Sequence, residues 1–486
     1  MLVEDGHTIS DGYRLRERLL TLLAASAALS TIFFWALNSY FKVDVPASLM
    51  FIGKDGWCKV PSQSIGVHCF GDFNERFMPN LSDPIFPPWH NNLELTPVGP
   101  FLTSFFNFLG KFVPQQSILI GLVLSSSALL VFPMWRATKK FSLDLRILWI
   151  FLGAVATYPF LATLDRLNYI VLTIPLLFIF GASYIQSDEY ISPLRVDHLW
   201  RIIPILVIIK PQFILLSFAF IFLRDFKQAA KSIVVSTLSF CVFIVAAGKM
   251  DFHRLIEWVQ VAVFYSRDFS DVQSAYHLNI SMSRGLFIAV RSFQITASAF
   301  SVNFRTTSGT FNFVLNAFQI VVFLFVTVSL LLYGKRVRKF HLLSVALVLS
   351  SFLFGQYIAG YYDVVVLVVL ALLVLDPSCA LWGARSGSEN DKESLTKARF
   401  TFTEIILILA ITLSCTTVTI PMPVSGSFIF FWRNNVVVSP LLQQISSLFW
   451  LLYILAVSTK AFKAARKSKR QEAPESSKEV IDGNLQ

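Results

Sequence analysis

The sequence predicts an all-α chain, a polytopic helical membrane protein with about 11–12 membrane segments, broken helices included. Three observations predict it. Of the 486 residues, 55% are apolar and only 15% are charged, with a mean hydropathy of +0.62. Apolar runs of about 20 residues recur from end to end, the length a helix needs to cross the hydrocarbon core. Clusters of Lys and Arg bound those runs on every second connection, which is the positive-inside bias that orients membrane helices. In lipid a backbone must satisfy its own N–H and C=O groups, so each run should be helical. An outer-membrane barrel would show short alternating segments instead.

The basic clusters are Arg14/Arg16/Arg18, Arg136/Lys139/Lys140, Arg224/Lys227/Lys231, Lys335/Arg336/Arg338/Lys339 and Lys460 to Arg470. They place both termini in the cytoplasm of a multi-pass protein of the plasma membrane. A net charge of +11 distributed at helix ends sets topology; no nucleic-acid partner is expected from it, and the surrounding lipids are the expected contacts.

The elements follow in order, with a membrane domain over 19–459. Residues 1–18 form a polar cytoplasmic segment, and the apolar run 19–41 is longer than the core of a cleaved signal, so it reads as a signal anchor. A large outer loop spans 42–96. Residues 98–112 are apolar but short, with Pro97 and Pro100 at their start, and read as a re-entrant or surface-lying helix. Helices are expected at 116–135, 146–162 and 168–186, followed by a polar link over 187–198. Pro204 and the pair Lys210-Pro211 then interrupt an apolar run, because proline breaks the helical ladder and pushes its predecessor out of helical geometry. Two broken segments result, 199–210 and 211–223. Next come a helix at 232–248, a second outer loop over 249–310, and helices at 311–333, 341–358 and 361–375. A hydrophilic cytoplasmic loop spans 376–397, helices follow at 400–419 and 439–459, and a basic tail runs over 460–486.

Residues able to carry chemistry gather on the outer side: Asp72, Glu75, Arg76, His90, Glu94, Asp165, Arg166, Lys210, His277, Arg284, Tyr357, Tyr361 and Tyr362. Asp72, in Gly71-Asp72-Phe73-Asn74-Glu75-Arg76, is either a general base for a hydroxyl or the cap of a turn after Gly71. Lys210 lies inside an apolar run, where a lysine is costly and usually meets an anion or a water-filled path. A lipid phosphate is a natural partner, and a snorkelling lysine without a ligand is the alternative. Cys58 and Cys69 fall in the first outer loop and are either bridged or two free thiols. Cys241 and Cys415, within apolar runs, read as packing residues. No Walker motif, dinucleotide fingerprint, paired-cysteine metal site or zinc-protease motif is present, which argues against ATP- or NAD-driven chemistry.

The order of short motifs resembles the GT-C superfamily of polytopic glycosyltransferases, most closely glycosyltransferase family 87, the polyprenyl-phosphate-mannose-dependent mannosyltransferases. The residues that carry it are Gly71-Asp72-Phe73, Leu95-Thr96-Pro97-Val98-Gly99-Pro100-Phe101, Asp165-Arg166-Leu167-Asn168, Ile209-Lys210-Pro211-Gln212 and the stretch from Tyr276 to Gly285 around Asn279-Ile280-Ser281. The resemblance covers roughly residues 19–375. It implies a GT-C-like fold and a mannosyl- or other hexosyl- or pentosyltransferase of the cell envelope. The donor would be a polyprenyl-phosphate sugar, the acceptor a lipid or envelope glycan on the outer face. Asp72 would be the catalytic base of an inverting displacement. Lys210, with Arg284, would hold the leaving phosphate, and His277, Arg166, Glu75, Arg76 and Tyr361 complete the candidate substrate-binding set. No cofactor is expected; Asp72 and Glu75 can hold a divalent cation weakly, although their spacing does not require one. Broken helices also suit a transporter or flippase of lipid-linked or small polar solutes, and large outer loops with Arg and His suit an envelope-polymer ligase.

Overall fold

The computed structural model describes residues 5–41, 97–186, 195–247, 250–253, 255–260, 286, 289–290, 308–353, 363–380, 401–416, 420–423, 436–439 and 441–471. Nearly all of them are helical. α1 is Asp5–Phe41, α2 Val98–Leu109, α3 Gln115–Ala137 and α4 Leu143–Ile150, which runs into a π turn, Phe151–Val155. α5 is Tyr158–Arg166, and α6 is Thr173–Ile185 with a 3-10 entry at Tyr169–Leu172. α7 is Ile202–Ile209 behind a 3-10 entry at Val196–Arg201, and α8 is Phe218–Phe222 behind one at Pro211–Ser217. α9 is Phe226–Ala247, α10 Ser308–Tyr333, and α11 Lys339–Val348 with a π turn at Leu349–Leu353. α12 is Val365–Leu375, α13 Phe402–Cys415 and α14 Leu441–Gln471. One departure from an all-helical chain is a two-stranded antiparallel ribbon between α13 and α14. In it β1, Ile420–Pro423, pairs with β2, Val436–Ser439, Ile420 opposite Ser439.

Among the described residues, four helical stretches are long and apolar enough to cross a membrane: Ser117–Ala137, Phe226–Ala247, Ala317–Arg336 and Leu442–Lys463. A fifth arises if the pair Leu143–Val155 and Tyr158–Leu164, bent by 63°, is one span. The remaining apolar helices are shorter. Faces of the long helices present large apolar side chains outward: Phe313, Ile320, Leu324, Val328 and Leu332 along α10, and Val234, Leu238 and Val242 along α9. Such stripes at helical spacing are what lipid-facing helices carry and what a protein in water would bury.

Several boundaries differ from the sequence reading for physical reasons. The 1–18 segment is helical from Asp5, because charged residues continue a helix as readily as apolar ones. For the same reason α14 runs 12 residues past the expected end at 459 into the Lys- and Ala-rich tail, and α9 starts at Phe226 rather than 232. The helix expected over 146–162 is broken. Thr157 is extended, and Pro159 sits in the first turn of a new helix, where its missing N–H costs nothing.

The basic clusters meet at one end of the bundle. Arg16 donates from Nε to the Val374 carbonyl and from Nη2 to the Leu375 carbonyl, both 3.0 Å, so α1 caps the C-terminus of α12. Its guanidinium also stands over the Phe141 ring. Arg338 donates to Ser378 O, Lys339 to Gln186 Oε1, and Lys460 to Thr401 Oγ1 at 3.3 Å. Arg224 donates to Leu331 O and Leu332 O at 3.1 and 2.7 Å. His341, fully buried, has Nε2 3.1 Å from Ala380 O and Nδ1 2.8 Å from the Tyr453 hydroxyl. Facing a carbonyl, Nε2 must carry the proton, and Nδ1 accepts from Tyr453.

At this end the turn after α10 passes so close to α8 that a Cβ on Gly334 would lie 2.3 Å from the Phe222 carbonyl oxygen. Replacement of Gly334 by Ala is therefore expected to destabilise the bundle by about 1–3 kcal/mol. Thermal unfolding in detergent checks this; an unchanged midpoint contradicts the close approach.

Candidate functional site

The break at Lys210 is the centre of the candidate site. Pro211 forces its predecessor into extended backbone, and Lys210 has φ −145° and ψ 109°. The backbone at the break is still satisfied. Lys210 N–H donates to Leu206 O at 2.7 Å, and Lys210 O accepts from Phe213 N–H at 3.1 Å. The side chain is only 4% exposed, and its Nζ lies 4.3 Å from the centre of the Tyr169 ring.

Tyr169 is held there by the turn before it. Leu167 adopts left-handed geometry with φ 48°, which costs a branched residue about 1–2 kcal/mol. Asn168 is buried, and its Oδ1 accepts Ile170 N–H at 3.0 Å, capping the 3-10 turn that carries the tyrosine. Leu167, Tyr169 and Ile209 then pack with Phe106 of α2 and Ile118 of α3. Three segments far apart in sequence are thus brought together: α2, the Asp165 to Asn168 turn and the Lys210-Pro211 break.

The depth of Lys210 follows from helix rise. The 3-10 turn Pro211–Ser217 and α8 separate it from Arg224 at the basic end by about 20 Å. In a hydrocarbon core of about 30 Å that is past the middle, toward the end away from the basic clusters. A lysine at such depth costs about 2.5–3.5 kcal/mol. A desolvated ring face returns about 2 kcal/mol. An ammonium so placed is a compact charge suited to a phosphate.

Of the other residues singled out in the sequence, Arg166 is the last residue of α5. Asp72, Glu75, Arg76, His90, Glu94, His277, Arg284, Tyr357, Tyr361 and Tyr362, with the pair Cys58 and Cys69, lie outside the described residues. Cys415 is buried in α13 and Cys241 half-buried in α9, free thiols in packing positions, and Cys379 is a third. Among the described residues no group of three or more His, Cys, Asp or Glu side chains is placed to hold a metal ion.

Two functional candidates escaped the sequence reading. Tyr169 had no signal beyond following Asn168. Asp363 had one: an acid inside the apolar run 361–375, the same pattern that singled out Lys210. Its carboxyl is fully buried.

No protein-family model matches the chain, and neither a curated protein nor a solved structure is similar to it.

Proposed function

We propose that the chain is an integral-membrane glycosyltransferase of GT-C type that moves a sugar from a polyprenyl-phosphate donor to a lipid or envelope-glycan acceptor on the outer face. The single observation that carries the reading is the buried Lys210 ammonium, set at a helix break in the half of the bundle away from the basic clusters and steadied by Tyr169. A phosphate on a lipid reaches that depth from the side, which a water-soluble nucleotide sugar does not.

The chemistry is one displacement. The Asp72 carboxylate takes the proton from the acceptor hydroxyl, the freed oxygen attacks the anomeric carbon, and the bond from that carbon to the phosphate oxygen breaks. The lipid phosphate leaves with its charge met by Lys210 and Arg284. Positioning and charge neutralisation supply most of the acceleration, since phosphate leaves readily once neutralised. Glu75, Arg76, His277, Arg166 and Tyr361 are the remaining candidates for holding the sugar and acceptor.

A second reading, a transporter or flippase of lipid-linked solutes, gains from the second broken helix, the 63° bend between Val155 and Tyr158. That break lies in the same half of the chain as the one at Lys210, whereas inverted-repeat transporters place matching interruptions in both halves. Purified protein in proteoliposomes with defined polyprenyl-phosphate sugars separates the two. Transfer to an acceptor glycolipid is expected; movement of the lipid across the bilayer with no new glycosidic bond favours the transporter.

A further inference from the structure

A carboxylate without a donor lies in the core of the bundle, independent of the Lys210 cluster. Asp363 opens the turn into α12, and it is 0% exposed. A residue just ahead of a helix usually caps backbone N–H groups. Among the described residues, neither Oδ1 nor Oδ2 of Asp363 accepts a hydrogen bond from any group.

Beside it stands the Ser414 hydroxyl, the head of a run of polar groups bonded to one another. Ser414 of α13 is adjacent to the carboxyl. Its hydroxyl donates to Ser446 Oγ at 3.0 Å and accepts Trp450 Nε1–H at 3.1 Å. Ser446 donates onward to the Gln443 carbonyl at 2.8 Å. Gln443 directs Nε2 to the carbonyls of Ser414 and Thr416, at 3.3 and 2.5 Å. The run therefore reads Trp450 to Ser414 to Ser446 to Gln443, each donor spent on an acceptor other than Asp363. A hydroxyl oxygen has two lone pairs, and Ser414 Oγ uses one of them for Trp450.

Among the described residues, no cation stands beside the acid to neutralise it. α3, α6 and α13 pack on α12, as does the π turn after α4. The charged side chains of these elements are Arg136 of α3, Asp144 and Arg146 of α4 and Glu404 of α13, all toward the basic end. α6 carries none. α12 itself spans about 16 Å between Asp363 and that end. Cys415 is the titratable group that faces the carboxyl.

We infer that Asp363 is a proton-binding site: its carboxyl carries a proton and donates it to Ser414 Oγ, which completes a chain of donors from Asp363 through Ser414 and Ser446 to the Gln443 carbonyl. An ionised carboxylate in an apolar core without a partner takes up a proton rather than bear the cost of burial. The oxygens are sealed from water, so a proton fits where a hydrated ion or a sugar hydroxyl does not.

Asn has the shape of the neutral acid, and its amide N–H can replace the carboxyl O–H toward Ser414. Asp363→Asn is expected to fold and to melt at or above the wild-type temperature in detergent at neutral pH, because it needs no proton taken up from solution. Infrared spectra of the wild type should show the C=O band of a protonated carboxylic acid that Asp363→Asn lacks. If that variant does not fold, wild-type protein with carboxyl-13C aspartate decides: a protonated-acid band that shifts with the label at neutral pH supports the site. Absence of any such band overturns it. So does a wild-type melting temperature that rises with sodium, at constant ionic strength, as that of Asp363→Asn does not, for the occupant is then a metal cation.

Discussion

Replacing Asp72 by Asn is expected to cut sugar transfer by about 10²–10⁴-fold while expression and helical content stay at wild-type levels, the range over which a positioned general base acts. The amide keeps the size of the carboxylate and its place after Gly71 but cannot take a proton from an acceptor hydroxyl. If Asp72 only caps a turn, Asn caps it equally well, and transfer continues. Single-turnover assay with defined polyprenyl-phosphate sugars distinguishes the two, and normal transfer by the variant rejects the catalytic role.

The second large effect is at Lys210. Lys210→Ala should lower kcat/KM for the donor by about 10²–10³-fold, the usual cost of removing one charge-stabilising donor from a site that excludes water. The acceptor dependence should change little, because the proposed partner of the ammonium is the donor phosphate. Alanine also empties the volume beside Tyr169, so Lys210→Met is the companion variant. It fills that volume without a charge. Lys210→Arg is not a conservative control, because a guanidinium is larger, planar and more weakly hydrated than an ammonium. Kinetics at varied donor concentration check the prediction; an unchanged donor dependence contradicts it.

The break at Lys210 was legible because a Lys-Pro pair inside an apolar run has a single backbone consequence. The break at Thr157 was not, since Pro159 in the first turn of a helix leaves the same trace as a proline tolerated within one. Apolarity located the apolar helices, of which four or five among the described residues are long enough to cross a membrane, and misjudged their ends at Asp5 and Gln471, where charged residues extend the helix beyond the apolar run. The ribbon of β1 and β2 was missed because its strands are four residues each and hold Pro421 and Pro423, which read as loop. At the site, Lys210 was found by its cost and Asp363 was passed over despite the same cost, the adjacent Tyr361 and Tyr362 having drawn the reading instead. Tyr169 depended on a left-handed Leu167, a conformation that nothing in its side chain announces.

The clasp between Arg16 and the end of α12 joins positions 358 and 359 residues apart. A ribosome adding about 5–20 residues per second delivers Val374 and Leu375 roughly 20–70 s after Arg16. The opening segment thus enters the bilayer without its latch and waits through most of translation for it. Any truncated product that stops short of Leu375 leaves that first helix without its hydrogen bonds to the end of α12, a ready target for quality-control proteolysis.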